Sequence, residues 1–168
     1  MRRCLPLALA ALALAPAAEA RVVSIPPLFS AVLPAVKREA GIPVRLPSRA
    51  DLDTNRRRLY ATGRGRRGSY DLELAAAPGC GGATACFVAS FTARRARRLG
   101  ERPNVDLALG LRGVYRPLRC GASCSPPSIA WVQRGVRYDM QISVSATQSR
   151  ERATMTALAN SAIRSGPR

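Results

Sequence analysis

Arginine clusters are the feature of this chain best suited to binding a ligand. The sequence has 27 lysine and arginine residues against 10 acidic residues, a formal net charge of +17, and Lys37 is the only lysine. A guanidinium group is planar and forms paired hydrogen bonds with phosphate or carboxylate. The sequence therefore predicts an anion-binding surface, for which the candidate residues are Arg57, Arg66, Arg67, Arg94, Arg95 and Arg98.

The arginine excess has a second explanation. Alanine, glycine and proline are also abundant, a composition typical of a genome rich in G and C, in which arginine replaces lysine. On that interpretation the clusters are solvated charged loops. A ligand-binding surface and a compositional effect both remain open at the level of sequence.

The absence of histidine limits the catalytic chemistry of this chain. Histidine is the commonest general base and activates serine and cysteine nucleophiles, so these mechanisms are excluded. Asp71 and Glu73 alternate along one predicted strand and share a face, an arrangement that could serve glycoside hydrolysis. Pairing of the few acids with surface arginines is the simpler interpretation. We therefore favour a protein that is not an enzyme, without a cofactor or a metal site.

Four cysteines follow the N-terminal segment, and their number predicts two disulfides in an exported protein. Of the three possible connectivities, the spacing favours the local pairs Cys80 with Cys86 and Cys120 with Cys124, because closing a short loop costs little entropy. A zinc site with four thiolates is the alternative. Oxidation after export would compete with it, and the tight C-x2-C spacing of structural zinc sites is missing.

Residues 1–20 are typical of a secretory signal peptide. Arg2 and Arg3 precede an apolar run over residues 5–18, and Ala18-Glu19-Ala20 provides a small-residue cleavage site. We expect residues 21–168 to form a single exported domain, periplasmic or extracellular. No later segment is long and apolar enough to predict a membrane span.

The hydrophobic pattern predicts an α+β fold. Residues 26–40 carry an amphipathic helical pattern interrupted at Pro34, and the last helix is marked by a stripe from Met155 to Ile163. Alternating residues predict hairpins at 59–62 with 70–74 and at 128–132 with 136–142. We expect an antiparallel β-sheet with an N-terminal and a C-terminal helix packed on it. Any open face of that sheet is the natural place for a ligand.

The order of motifs resembles a family of uncharacterised bacterial secreted proteins with two short cysteine loops and a Trp before a Gly-x-x-Tyr hairpin. The residues that carry the resemblance are IPVRLPS from Ile42, GSYDLEL from Gly68, CGGATACFVASFTA from Cys80, CGASCSPPSIAW from Cys120, GVRYDMQI from Gly135 and ALANSAI from Ala157. The resemblance implies export by a bacterium and an α+β domain. It implies no activity and no functional residue.

These observations predict an exported, non-catalytic domain that binds an anionic envelope polymer, lipid head groups or a protein partner. Specific nucleic-acid binding is not expected. Two alternatives stay open. One is an envelope hydrolase that uses Asp71 and Glu73, and the other is a structural protein of the envelope.

Overall fold

The computed structural model describes residues 22–52, 58–144 and 146–168, and these form a largely β structure. The helices are α1 (Leu33–Ala40) and α2 (Gln148–Arg164), and a 3-10 turn spans Pro26–Phe29. In chain order the strands are β1 (Val22–Ser24), β2 (Arg49–Asp51), β3 (Tyr60–Arg66), β4 (Ser69–Ala75), β5 (Phe87–Arg95), β6 (Val105–Asp106), β7 (Arg112–Arg116), β8 (Arg119–Cys120), β9 (Cys124–Ser125), β10 (Ser128–Gln133) and β11 (Val136–Ile142).

One antiparallel sheet of seven strands organises the described chain. Its strand order is β3-β4-β5-β11-β10-β7-β6, and two small sheets pair β1 with β2 and β8 with β9. Both predicted hairpins are confirmed, as β3 with β4 and as β10 with β11. The antiparallel sheet expected from the sequence is also confirmed.

The predicted α+β class is wrong, because strands dominate the described residues. The helical pattern over residues 26–40 yields only a 3-10 turn and the eight-residue helix α1. Pro34 lies in the first turn of α1, where its missing N–H costs nothing, and Gly41 ends the helix in the left-handed conformation, with φ of 57°. Several strands of two or three residues, too short for a sequence pattern, add to the β content.

The core lies between one face of the sheet and the two helices. Alternate residues of the central strands are buried there, including Leu72, Leu74 and Met140. Phe29 of the 3-10 turn meets Phe91 of β5 edge to face, with ring centroids 5.8 Å apart. The buried stripe of α2 contains Met155, Leu158, Ala159, Ala162 and Ile163, as the periodicity predicts.

Helix α1 lies directly on the backbone of the edge strand β3. A Cβ atom at Gly65 would stand 2.6 Å from the Cβ of Glu39 and 2.6 Å from the carbonyl oxygen of Val36. At Gly63 a Cβ would stand 2.7 Å from Leu72 and 2.9 Å from Val36. The two glycines therefore allow the close approach that covers this face of β3.

Two buried charged residues fasten α2 to the rest of the molecule. The Arg45 guanidinium donates to the carbonyl oxygens of Ala162 and Ile163, at 3.3 and 3.0 Å. A cation at the C-terminal end of a helix opposes the partial negative charge of the last carbonyls. Arg45 thereby ties residues 42–48 to the last turns of α2.

At the other end of α2, the buried carboxylate of Glu151 accepts hydrogen bonds from the Tyr115 hydroxyl and from the N–H of Leu118, the latter at 3.0 Å. Burial and the neighbouring Glu151 raise the pKa of Tyr115. These bonds connect the first turn of α2 to β7 and to the segment that follows it.

Replacing Gly65 with alanine should destabilise the fold by about 1–3 kcal/mol, because the new methyl group must displace the backbone of α1. The measurement is the free energy of unfolding from urea denaturation. Gly121→Ala is the matched control, since a Cβ there meets nothing within 4 Å. Equal stabilities of the two variants would show that α1 does not lie on β3 as described.

Candidate anion-binding surface

The face of β3, β4 and β5 that points away from the helices is polar. On β4, Tyr70, Leu72 and Leu74 are buried in the core. The residues that alternate with them, such as Asp71 and Glu73, therefore point to the opposite side of the sheet. The pairing register carries the same alternation to the neighbouring strands. We call this surface the open face; its residues are Thr62, Arg64, Arg66, Ser69, Asp71, Glu73, Ser90, Thr92 and Arg94.

Arginines form a row across one end of the open face. In the register of the sheet, Arg66 lies opposite Ser69 and Ser69 lies opposite Arg94. Arg94 in turn lies opposite Arg137 of β11. Neighbouring strands are about 4.8 Å apart, so the backbones of Arg66 and Arg94, two strands apart, are separated by about 10 Å. The row therefore places the backbones of Arg66, Arg94 and Arg137 at intervals along the sheet.

Four of the residues proposed from the sequence meet at this end of the sheet. Arg66 ends β3, Arg67 lies in the turn to β4, and Arg94 and Arg95 end β5, all of them exposed. The N–H of Arg95 donates to the carbonyl oxygen of Gly68 at 2.9 Å, which joins the end of β5 to the turn. We call Arg66, Arg67, Arg94 and Arg95 the arginine corner.

The other two proposed residues are placed differently. Arg98 is exposed in the loop after β5, and the carbonyl oxygen of the next residue, Leu99, accepts a hydrogen bond from Arg137. That loop therefore returns to the end of the sheet that carries the arginine row. Arg57 lies outside the described residues.

Among the described residues the arginine corner has no acidic partners, as is also true of Arg97 and Arg98 in the loop after β5, whereas three arginines of β7 and β11 have them. Arg112 pairs with Asp106 at 3.3 Å, and Arg116 pairs with Glu101. Within residues 22–52, 58–144 and 146–168, no carboxylate lies within 4 Å of a corner guanidinium. The positive charge of the corner, like that of Arg64 on the open face, is therefore available to an external anion.

Arg137 has a positioning role that the sequence did not single out. Its guanidinium donates two hydrogen bonds of 2.8 Å to Asp139, two residues along the same strand face. It also contacts Glu101 at 3.5 Å and the Leu99 carbonyl. The hydrogen bonds to Asp139 raise the pKa of Arg137. Arg137 thus holds the loop after β5 against the end of the row.

A cleft adjoins the arginine row on β3 and β4. It has a volume of about 410 Å³ and lies between the open face and the first cysteine loop. The carboxylate of Glu73 accepts a hydrogen bond from the N–H of Gly82 in that loop, at 3.2 Å. The polar and aromatic side chains that line the cleft are Tyr60, Thr62, Arg64, Asp71 and Glu73. The two carboxylates that the sequence paired are therefore together in one cleft.

The cysteine pairing predicted from spacing is confirmed: Cys80 is bonded to Cys86, and Cys120 to Cys124. Two disulfides fit an exported protein. Among the described residues, no group of three or more metal-binding side chains occurs. None of the described helices has the length and apolar character needed to cross a membrane.

Glu101 should contribute to acid sensitivity. The hydrogen bond from Arg116 lowers the pKa of the Glu101 carboxyl. The ionised carboxylate therefore stabilises the folded protein above the usual glutamate pKa, and this stabilisation is lost as the pH falls through the lowered pKa. Unfolding free energies across the acidic range should fall less steeply for Glu101→Gln than for the unmodified chain. Glu39→Gln, an exposed acid on α1, is the control; identical pH profiles for both variants would exclude this role for Glu101.

Comparisons with known proteins do not assign this chain to a family. No family model, no curated protein and no solved structure gave a significant match. The resemblance to a family of secreted proteins stays a prediction from the residues that carry it. Function must therefore be argued from the chemistry of the surface itself.

Proposed function

We propose that the chain is an exported, non-catalytic domain that binds an anionic polymer of the bacterial envelope at the arginine corner. The observation that carries this proposal is the set of four exposed arginines at one end of strands β3 to β5, without a carboxylate within 4 Å among the described residues; Arg66 and Arg94 lie on the open face itself. Elsewhere in the described chain, acidic residues pair with Arg112, Arg116 and Arg137.

A polymer suits this surface better than a small anion does. Arg66 and Arg94 stand on strands about 10 Å apart, Arg67 lies in the turn, and Arg95 alternates to the opposite side from Arg94, so the four side chains start from spread positions. Successive phosphates or carboxylates of a chain molecule could each take one guanidinium. Since the strands are held in a seven-stranded sheet, the backbone positions of Arg66, Arg94 and Arg95 are set before binding, which limits the entropy cost of association to their side chains.

Export is supported by two independent features of the chain. The first twenty residues have the pattern of a cleavable signal peptide. Disulfides persist in oxidising compartments and are rare in the cytosol, and two are present here. A location outside the cytoplasm would bring the arginine corner into contact with envelope phosphates.

Binding is a better account of the open face than hydrolysis. Both Asp71 and Glu73 line the cleft, yet Glu73 already accepts a hydrogen bond from the first cysteine loop. One of the two acids that a glycosidase would need is thus engaged in holding that loop. That contact supports a binding role for the cleft over a catalytic one.

Removal of two corner charges should reduce the salt dependence of binding. With lipopolysaccharide as the probe, the log-log slope of affinity against salt should fall by about 1.5 for Arg66→Gln combined with Arg94→Gln, because somewhat under one counterion is released per contact. Arg150→Gln with Arg164→Gln makes the same change of charge on exposed positions of α2. That control should keep the original slope.

The same titrations with DNA distinguish a specific binding site from nonspecific attraction between a basic protein and any polyanion. Binding to lipopolysaccharide at physiological salt, with weaker binding to DNA, would support the proposal. Equal affinities for both polymers, or an equal loss of slope in the corner variant and the α2 control, would refute it.

Export has its own test. After expression with its native N-terminus in a bacterium, the protein recovered outside the cytoplasm should have the mass of residues 21–168 with all four remaining cysteines oxidised. An intact N-terminus or free thiols in that fraction would contradict export with cleavage.

A further inference from the structure

The cleft on β3 and β4 carries a mixture of groups that does not fit a simple anion. Two carboxylates, Asp71 and Glu73, face it together with the single guanidinium of Arg64. Its formal charge is therefore negative, in a chain whose net charge is +17. A bare phosphate would be repelled by the two carboxylates, which outnumber the single guanidinium.

We propose that this cleft binds one or two sugar residues. Sugar hydroxyls donate and accept hydrogen bonds at once, so they match a lining that offers both kinds of partner. Asp71 and Glu73 supply acceptors, while Arg64 and Thr62 supply donors. Tyr60 adds an aromatic ring with a polar tip to the lining.

The size of the cleft agrees with such an occupant. Small-molecule sites have volumes of about 300–1,000 Å³, and this cleft has about 410 Å³. It lies at the lower end of that range, where a short saccharide fits and a long acyl chain or a folded peptide does not. The remaining lining is formed by small residues, Gly63, Ala75, Ala77, Gly79 and Gly81, with Cys80.

The first cysteine loop forms one wall of the cleft. Cys80 and Gly81 line it, Gly82 donates its N–H to Glu73, and the Cys80–Cys86 bond closes the loop. A closed loop with a fixed contact to the sheet loses little entropy when a ligand enters. The disulfide therefore restrains this wall of the cleft in one conformation before a ligand binds.

The cleft and the arginine corner form one continuous surface. Arg64 lines the cleft, and Arg66 follows two residues later on the same strand face, about 7 Å away. A sugar in the cleft would place an attached phosphate or carboxylate near Arg66 and Arg94. The natural ligand would then be an anionic glycan; this last step rests on the proposed function, whereas sugar binding by the cleft does not.

The test uses uncharged sugars, so that the arginine corner does not contribute. Glucose, galactose, mannose, N-acetylglucosamine and their disaccharides are titrated against the oxidised protein, and binding is followed by ligand-observed NMR. At least one sugar should bind. Asp71→Asn, which keeps the size of the side chain, should weaken its affinity by about tenfold because a charged acceptor is lost.

Asp106→Asn is the matched control, since β6 lies at the opposite edge of the sheet from β3. It should leave the sugar affinity unchanged. A second variant, Cys80→Ser with Cys86→Ser, should also weaken sugar binding while leaving the salt slope for lipopolysaccharide unchanged, because the arginine corner lies outside the loop. Circular dichroism checks that each variant is folded.

The possible failures can be told apart. Absence of binding by every sugar, or equal affinities of Asp71→Asn and Asp106→Asn, would overturn the sugar site and leave the anion proposal standing. Sugar binding that depends on Asp71, together with an unchanged salt slope in the corner variant, would support the sugar site and refute the anion proposal.

Discussion

The contact between α1 and the glycines of β3 determines which face of the sheet is buried. A helix can reach the backbone of an edge strand only where side chains are absent, and Gly63 and Gly65 provide that opening. Because strand side chains alternate, a slip of one residue would turn Arg64 and Arg66 into the helix. The polar character of the open face therefore follows from the packing on the opposite side.

The positions of the acidic residues determine which arginines of the described chain are neutralised. Asp106, Glu101 and Asp139 neutralise arginines on β7 and β11, and Glu101 also ties the loop after β5 to the sheet. Toward the β3–β4 turn, the acids instead lie in the cleft, and the exposed arginines have no such partners within the described chain. Some arginines of this chain therefore stabilise the fold through ion pairs, and others are left to bind a ligand.

The sequence predicted those elements whose signals are local. Strict alternation identified the two hairpins, the three-and-four spacing identified α2, and short spacing identified the disulfides. The prediction of the fold class was wrong because several strands have only two or three residues, too few to show a periodic pattern in the sequence. Residues 42–47 show alternation of the kind found in edge strands, yet they join no strand ladder, and Arg45 of this segment bonds to the end of α2.

The site was predictable only in part. Arginine clusters are visible in the sequence, and four of the proposed residues share the corner. The row that joins Arg66, Arg94 and Arg137 depends on pairing between three strands far apart in the chain. The cleft needs the first cysteine loop to return over β4, and a buried charge such as Arg45 or Glu151 looks like any surface residue until its partners are known.

If the proposals of export and of sugar binding hold together, the Cys80–Cys86 bond would make the first cysteine loop sensitive to compartment. Before oxidation, nothing covalent holds this loop near Glu73, and a single hydrogen bond to Gly82 is a weak restraint in water. Ligand competence would then be acquired only on arrival in an oxidising environment. The cell that synthesises the chain would be protected from premature capture of its own cytoplasmic saccharides, with the redox gradient across the membrane serving as the signal for maturation.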